Sequence, residues 1–129
     1  MKQNTRVHTP RSIGFAFSVL TALGCLSGTA DATGLIMPIY GNTSAQFNAA
    51  VAAAQKAPMI AIINPDDGPG STKVAGISSN VARLKSSNAK VAGYISTNYG
   101  GTSLSSVYQQ IDRYVSWYSA NGIFLDEAS

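Results

Sequence analysis

The sequence is poor in the side chains on which many metal and nucleophilic sites depend. It contains one cysteine, Cys25, and one histidine, His8. Both lie in the first 32 residues, a segment that is expected to be removed from the mature protein. Their loss excludes a disulfide, a histidine-dependent zinc site and a Ser-His-Asp triad from the remaining chain. Carboxylate chemistry is left, and the sequence predicts neither a metal nor a cofactor.

Charge is scarce as well, with nine Lys and Arg residues and six Asp and Glu residues. Three of the basic residues and one of the acidic residues fall in the first 32 positions, so the rest of the chain carries six and five, a net charge of +1. So small a charge gives no electrostatic footprint for nucleic acid, and no nucleic-acid partner is predicted.

Nucleotide-binding motifs are also missing. The glycine-rich stretch at 68–70 lacks the Lys-Ser/Thr pair of a P-loop, and the glycine pair at 100–101 does not match G-x-G-x-x-G. The sequence therefore predicts no nucleotide ligand.

The first 32 residues have the organisation of a secretory signal peptide. A positive leader precedes an apolar run over 13–26, and Ala30-Asp31-Ala32 places small residues where a signal peptidase requires them. We predict a signal peptide over residues 1–32, a domain over residues 33–129, and a secreted, extracellular protein. In the alternative, Leu23-Gly24-Cys25 ends a lipoprotein signal, and lipidated Cys25 anchors the protein to a membrane.

Apolar runs and helical periodicity alternate along residues 33–129. Runs with the length and residue types of buried strands occupy 35–40, 59–63, 91–95 and 122–125. Between them, apolar residues recur every three or four positions, which predicts helices over 45–56, 77–86 and 104–120. This order predicts an α/β fold with four parallel strands. The spacing between strands is that of units in a parallel (β/α) barrel.

Individual residues add detail to this pattern. Pro38 donates no ladder hydrogen bond, so it is expected at a sheet edge, at a bulge or at the end of its strand. Gly93 leaves room for a close neighbour. The last helix is predicted to end at Asn121-Gly122. Its tyrosines occur at helical spacing and are predicted to pack in the core: Tyr108, Tyr114 and Tyr118.

Polar and aromatic residues follow the predicted strands, and the carboxyl ends of parallel strands share one edge of a sheet. The sequence therefore predicts one site at that edge, with Asp126 and Glu127 as its functional carboxylates. Substrate contacts are predicted for Tyr40, Asn64, Asp66, Tyr94, Thr97 and Tyr99; for the three tyrosines, packing at the rim is the alternative. The path of the loop after the second strand is fixed by Pro65, Gly68, Pro69 and Gly70.

Short motifs occur in order along residues 33–129: Asn64-Pro65, Gly68-Pro69-Gly70, Gly93-Tyr94 with Thr97, Tyr99 and Gly100, Asp112 with Tyr114, and Gly122-Ile123-Phe124-Leu125-Asp126-Glu127. Together they resemble the spherulin-4-like family. The resemblance implies a secreted (β/α)8, or TIM, barrel glycoside hydrolase that acts on galactosamine-containing exopolysaccharides of microbial cell walls and biofilms. It also implies that Asp126 and Glu127 are the catalytic pair after the fourth strand.

The resemblance covers the first four βα units of such a barrel. Adjacent residues in a strand point to opposite faces, so Asp126 and Glu127 are not expected to flank one glycosidic bond as a complete pair. The family pattern implies a further Glu on a later strand, so we expect a truncated product or fragment, with a self-associating half-barrel as the alternative. The alternative function is a non-catalytic carbohydrate-binding or cell-surface structural protein.

Overall fold

The computed structural model describes residues 34–128; the predicted signal peptide and Cys25 lie outside this range. Its strands are β1 (Leu35–Tyr40), β2 (Met59–Asn64), β3 (Ala89–Ser96) and β4 (Gly122–Asp126). Its α-helices are α1 (Ser44–Ala54), α2 (Ile77–Ser86) and α3 (Leu104–Tyr118). Strands and helices alternate, which confirms the α/β class. Across residues 34–128, no helix combines the length and apolarity needed to cross a bilayer.

The four strands form one parallel sheet in the order in which they occur in the sequence, β1-β2-β3-β4. The strand predicted from 59–63 is internal, with β1 on one side and β3 on the other. Pro38 belongs to β1, which is an edge strand of this sheet, and lies opposite Ile62 of β2. An edge strand tolerates a residue without an N–H group, so the edge position expected for Pro38 is confirmed.

The core lies between one face of the sheet and the three helices. Alternate strand residues such as Ile39, Ala61 and Val91 are buried in it. The helices contribute apolar residues at helical spacing: Phe47, Ala50 and Ala54 from α1, Ile77, Val81 and Leu84 from α2, and Val107, Tyr114 and Tyr118 from α3. Because consecutive parallel strands are neighbours, every right-handed crossover returns on the same side of the sheet. Among residues 34–128, helices therefore cover one sheet face and leave the other uncovered.

We call the uncovered side the open face. Its residues are Ile36, Pro38 and Tyr40 of β1, Ile60, Ile62 and Asn64 of β2, Lys90, Ala92, Tyr94 and Ser96 of β3, and Gly122, Phe124 and Asp126 of β4. Ile36 is 67% exposed there. Apart from Lys90, the side chains change from aliphatic at the amino ends of the strands to aromatic and polar at the carboxyl ends.

Tyr114 joins α3 to the centre of the sheet. Its ring lies directly over Gly93, where an added Cβ would stand 2.3 Å from Tyr114 Cγ. The Tyr114 hydroxyl donates a hydrogen bond of 3.2 Å to the carbonyl of Ile63. Burial raises the pKa of this tyrosine above its usual range. The close neighbour for which Gly93 leaves room is therefore the α3 tyrosine.

Two details of α3 differ from the prediction. Tyr108 is 62% exposed, so its core assignment was wrong; it follows the buried Val107 and is rotated about 100° from it around the helix. The left-handed residue that caps the helix is Ser119, with φ 54°, and not the pair Asn121-Gly122. Asn121 instead forms hydrogen bonds with β3. Its backbone N–H donates to the Val91 carbonyl at 2.7 Å, and its side-chain Oδ1 accepts from the Val91 backbone N–H at 3.0 Å.

Candidate functional site

A pocket of about 290 Å³ lies at the carboxyl end of the open face. It brings together four of the predicted site residues: Tyr40, Asn64, Tyr94 and Asp126. The remaining lining residues are Ile36, Pro38, Ile62 and Phe124. The rings of Tyr94 and Phe124 stack with centroids 6.4 Å apart, and Tyr40 is 58% exposed. The pocket is thus apolar and aromatic, with one carboxylate among its lining residues.

Asp126 is held through both of its carboxylate oxygens. The Tyr94 hydroxyl donates to Oδ2 at 2.9 Å, and the backbone amide of Glu127 donates to Oδ1 at 2.9 Å. An ionised carboxylate has only acceptor atoms, and both of these hydrogen bonds suit that form. The structure therefore fixes a negative charge, in one orientation, in the wall of the pocket.

The same contact alters the titration of Tyr94. Its hydrogen bond to Asp126, together with burial and the nearby negative charges, raises the pKa of Tyr94 from 10.0 to about 12. A raised pKa means that the neutral phenol is stabilised in the folded protein. The resulting stability is complete below pH 10 and is lost as the pH rises from 10 to about 12.

This pKa can be measured by titrating the tyrosinate absorbance with pH in the wild-type protein and in Tyr94→Phe. We expect the difference between the two titration curves, which reports Tyr94, to have its midpoint near pH 12. Asp126→Asn removes the charge that Tyr94 faces, so the same difference measured in that background should move toward pH 10. A midpoint near pH 10 that does not respond to Asp126→Asn would contradict the contact.

Glu127 lies on the same side of the sheet as Asp126. Ser96 Oγ donates to Glu127 Oε2 at 2.5 Å, and Ser96 is two residues from Tyr94, on one face of β3. The expectation that Asp126 and Glu127 point to opposite faces was wrong, because strand alternation does not extend to Glu127. That residue follows the end of β4 and has φ 53°, in the left-handed region.

Thr97 and Tyr99 hold the main chain at the end of β4. The Thr97 amide donates to the Asp126 carbonyl at 3.0 Å, and the Thr97 hydroxyl donates to the Glu127 carbonyl at 2.7 Å. The Tyr99 amide donates to the same Glu127 carbonyl at 2.9 Å. Neither residue lines the pocket, and the Tyr99 side chain is 71% exposed. Within this structure, both are placed to support the carboxylates.

The conformation of the loop after β2 is fixed by hydrogen bonds within the loop and by hydrogen bonds from α3. Asn64 Oδ1 accepts a 2.7 Å hydrogen bond from the Gly68 amide, which leaves the Asn64 amide nitrogen as its group for a ligand. Tyr118 donates to the Pro69 carbonyl at 2.9 Å, and Arg113 to the Gly70 carbonyl at 3.1 Å. The four loop residues named above are buried: Pro65, Gly68, Pro69 and Gly70. Asp66 is exposed on this loop and does not line the pocket.

Two residues of the site were missed by the sequence interpretation. Phe124 lies two residues before Asp126 and therefore shares its face, and Ser96 lies opposite Asp126 in the sheet register. The period of two along each strand was the signal that would have identified them. Within residues 34–128, no three His, Cys, Asp or Glu side chains gather in the way that a metal ion would require.

Comparisons with known proteins identify related sequences. Residues 35–129 match the profile named Spherulin4, described as spherulation-specific family 4. Spherulin-4 of Physarum polycephalum is 33% identical over 113 residues, which cover 85% of this chain and 34% of that protein. The chain thus spans about a third of the length of the curated relative that it matches. No solved structure matches the chain.

Proposed function

Because the chain belongs to the spherulation-specific family 4, we propose that it carries a carboxylate site of a secreted glycoside hydrolase. Its substrate is a galactosamine-containing exopolysaccharide or cell-wall polysaccharide of microbial origin. The observation that carries the proposal is the Asp126 carboxylate, held in a fixed orientation beside the stacked rings of Tyr94 and Phe124. A sugar ring needs both features, an apolar surface on which to stack and an oriented charge at its reacting carbon.

We also propose that the four strands and three helices belong to the first half of a (β/α)8 barrel. The sequential strand order and the location of all three helices on one side of the sheet support this architecture. In such a barrel, each strand pairs with the next one around the barrel axis, and every helix lies on the outside. The open face would then line the barrel interior. The carboxyl ends of its strands, with Asp126 and Glu127, would lie at the mouth, where such barrels place their chemistry.

In the proposed reaction the two carboxylates have different positions. Glycosidic cleavage needs one acid to protonate the leaving oxygen and a second carboxylate to stabilise or attack the oxocarbenium-like centre. Asp126 lines the pocket and accepts hydrogen bonds on both oxygens, which suits it to the second role. Glu127, which follows Asp126 directly and does not itself line the pocket, is assigned the proton transfer. Tyr40 and Phe124 supply exposed aromatic surface for neighbouring sugars.

The proposal is tested by incubating the purified chain with galactosaminogalactan and measuring new reducing ends, with a neutral glucan as the control polymer. We expect reducing ends from the amino-sugar polymer and none from the glucan. A pull-down on the same insoluble polymers measures binding separately. Binding without release would overturn the hydrolase and support a carbohydrate-binding protein, for which the aromatic pocket is sufficient. Absence of both would overturn either function.

A further inference from the structure

Two separate sets of hydrogen bonds hold the end of β4: one comes from Ser96, the last residue of β3, and the other from the segment that follows it. Thr97 and Tyr99 bond to the main-chain carbonyls of Asp126 and Glu127. Ser96 bonds to the Glu127 side chain. The path of the backbone and the direction of the Glu127 carboxylate are therefore fixed by different residues.

A hydrogen bond from the main chain orients the Ser96 hydroxyl toward Glu127. Its Oγ accepts a 3.2 Å hydrogen bond from the Asn98 amide, so its own proton is available for donation. The 2.5 Å separation from Glu127 Oε2 is typical of a hydroxyl that donates to a charged carboxylate. Ser96 also lies opposite Asp126 in the register of β3 and β4. The hydroxyl is thus placed to draw Glu127 toward the side that Asp126 occupies.

We propose that Ser96 is a positioning residue, which acts on the reaction by holding the Glu127 carboxylate beside Asp126. The proposal rests on the proposed hydrolase function. It assigns no contact between Ser96 and the substrate, because Ser96 does not line the pocket. The left-handed conformation of Glu127 places its side chain near the open face, and Ser96 selects the rotamer in which the two acids lie together.

Kinetics separate positioning from a merely structural role. Ser96→Ala should lower kcat for polymer hydrolysis about 10- to 100-fold, because a hydrogen bond to a charged group is lost, with KM changed less than about twofold. Ser96→Thr keeps the hydroxyl on a side chain that strands accept, and should restore kcat. Ser116→Ala is the matched control, because that exposed serine bonds only within α3. In a Glu127→Gln background, Ser96→Ala should cause no further loss.

NMR of the Glu127 carboxyl group provides a readout that does not depend on enzymatic activity. Glu127 is the only glutamate in the sequence, so carboxyl-labelled glutamate gives one NMR resonance that needs no assignment. We expect this resonance to shift in Ser96→Ala and to stay in place in Ser96→Thr and Ser116→Ala. A resonance insensitive to Ser96→Ala, or an additive loss in the double variant, would overturn the positioning role. A shifted resonance with no hydrolysis by the unmodified chain would count against the hydrolase and leave the contact established.

Discussion

Asp126→Asn is expected to lower kcat/KM for polymer hydrolysis by about 10²- to 10⁴-fold, the size of effect that one positioned catalytic side chain contributes. Asparagine keeps the size of the side chain: its carbonyl oxygen can accept from the Glu127 backbone amide while its NH2 group donates to the Tyr94 hydroxyl oxygen. The pocket therefore keeps its shape and loses its charge. The measurement is the initial rate of reducing-end release across a range of polymer concentrations.

Asp112→Asn is the matched control for this substitution. Asp112 lies on α3 and is exposed, away from the pocket, so its change should leave the rate unaltered. Glu127→Gln should also reduce the rate, because glutamine cannot give or take a proton. Circular dichroism verifies that each variant is folded. If Asp126→Asn and Glu127→Gln both keep full activity, neither residue is catalytic.

Gly93→Ala should lower the free energy of unfolding by about 3 kcal/mol, the upper part of the range for overpacking a close-packed core. The new methyl group would stand 2.3 Å from Cγ of Tyr114, so either the ring or β3 must move. The ring is completely buried and its hydroxyl is bonded to the Ile63 carbonyl, which restricts that movement. Denaturant titration monitored by circular dichroism measures the change.

Gly122→Ala provides the control for Gly93→Ala in a second strand of the same sheet. A Cβ at Gly122 meets no atom within 4 Å, so its free energy of unfolding should stay within about 0.5 kcal/mol of wild type. Because the clash involves one ring, Gly93→Ala should cost less in a Tyr114→Leu background than in the wild type. Equal stability of the two alanine variants would show that Tyr114 does not cover Gly93 in solution.

The order of elements could be predicted because local signals agreed with the tertiary structure. The five apolar residues from Met59 form an internal strand, and the helix predicted over 77–86 has those bounds in the structure. Tyr108 shows where such signals fail. Periodicity identifies the faces of a helix, but the packing of α3 over Gly93 decides which face is buried, and that contact joins residues distant in sequence.

The site could be predicted in part for a similar reason. Parallel topology alone brings together the carboxyl ends of strands, and it was sufficient to gather Tyr40, Asn64, Tyr94 and Asp126 around one pocket. The orientation of Glu127 was beyond reach, because its left-handed backbone depends on hydrogen bonds from Thr97 and Tyr99 across the sheet. A rule that holds within a strand does not predict the first residue after it.

The sequential strand order also has a consequence for how the chain folds. The strands begin at residues 35, 59, 89 and 122, so each new pairing closes a loop of 24 to 33 residues onto the strand formed before it. Loops of this length cost little more to close than shorter ones, and the amino-terminal strands are synthesised first. The sheet can therefore assemble strand by strand from the amino terminus as the chain is synthesised. Asp126 and Glu127 arrive after β3, onto hydroxyl and amide groups that β3 and the segment after it already present.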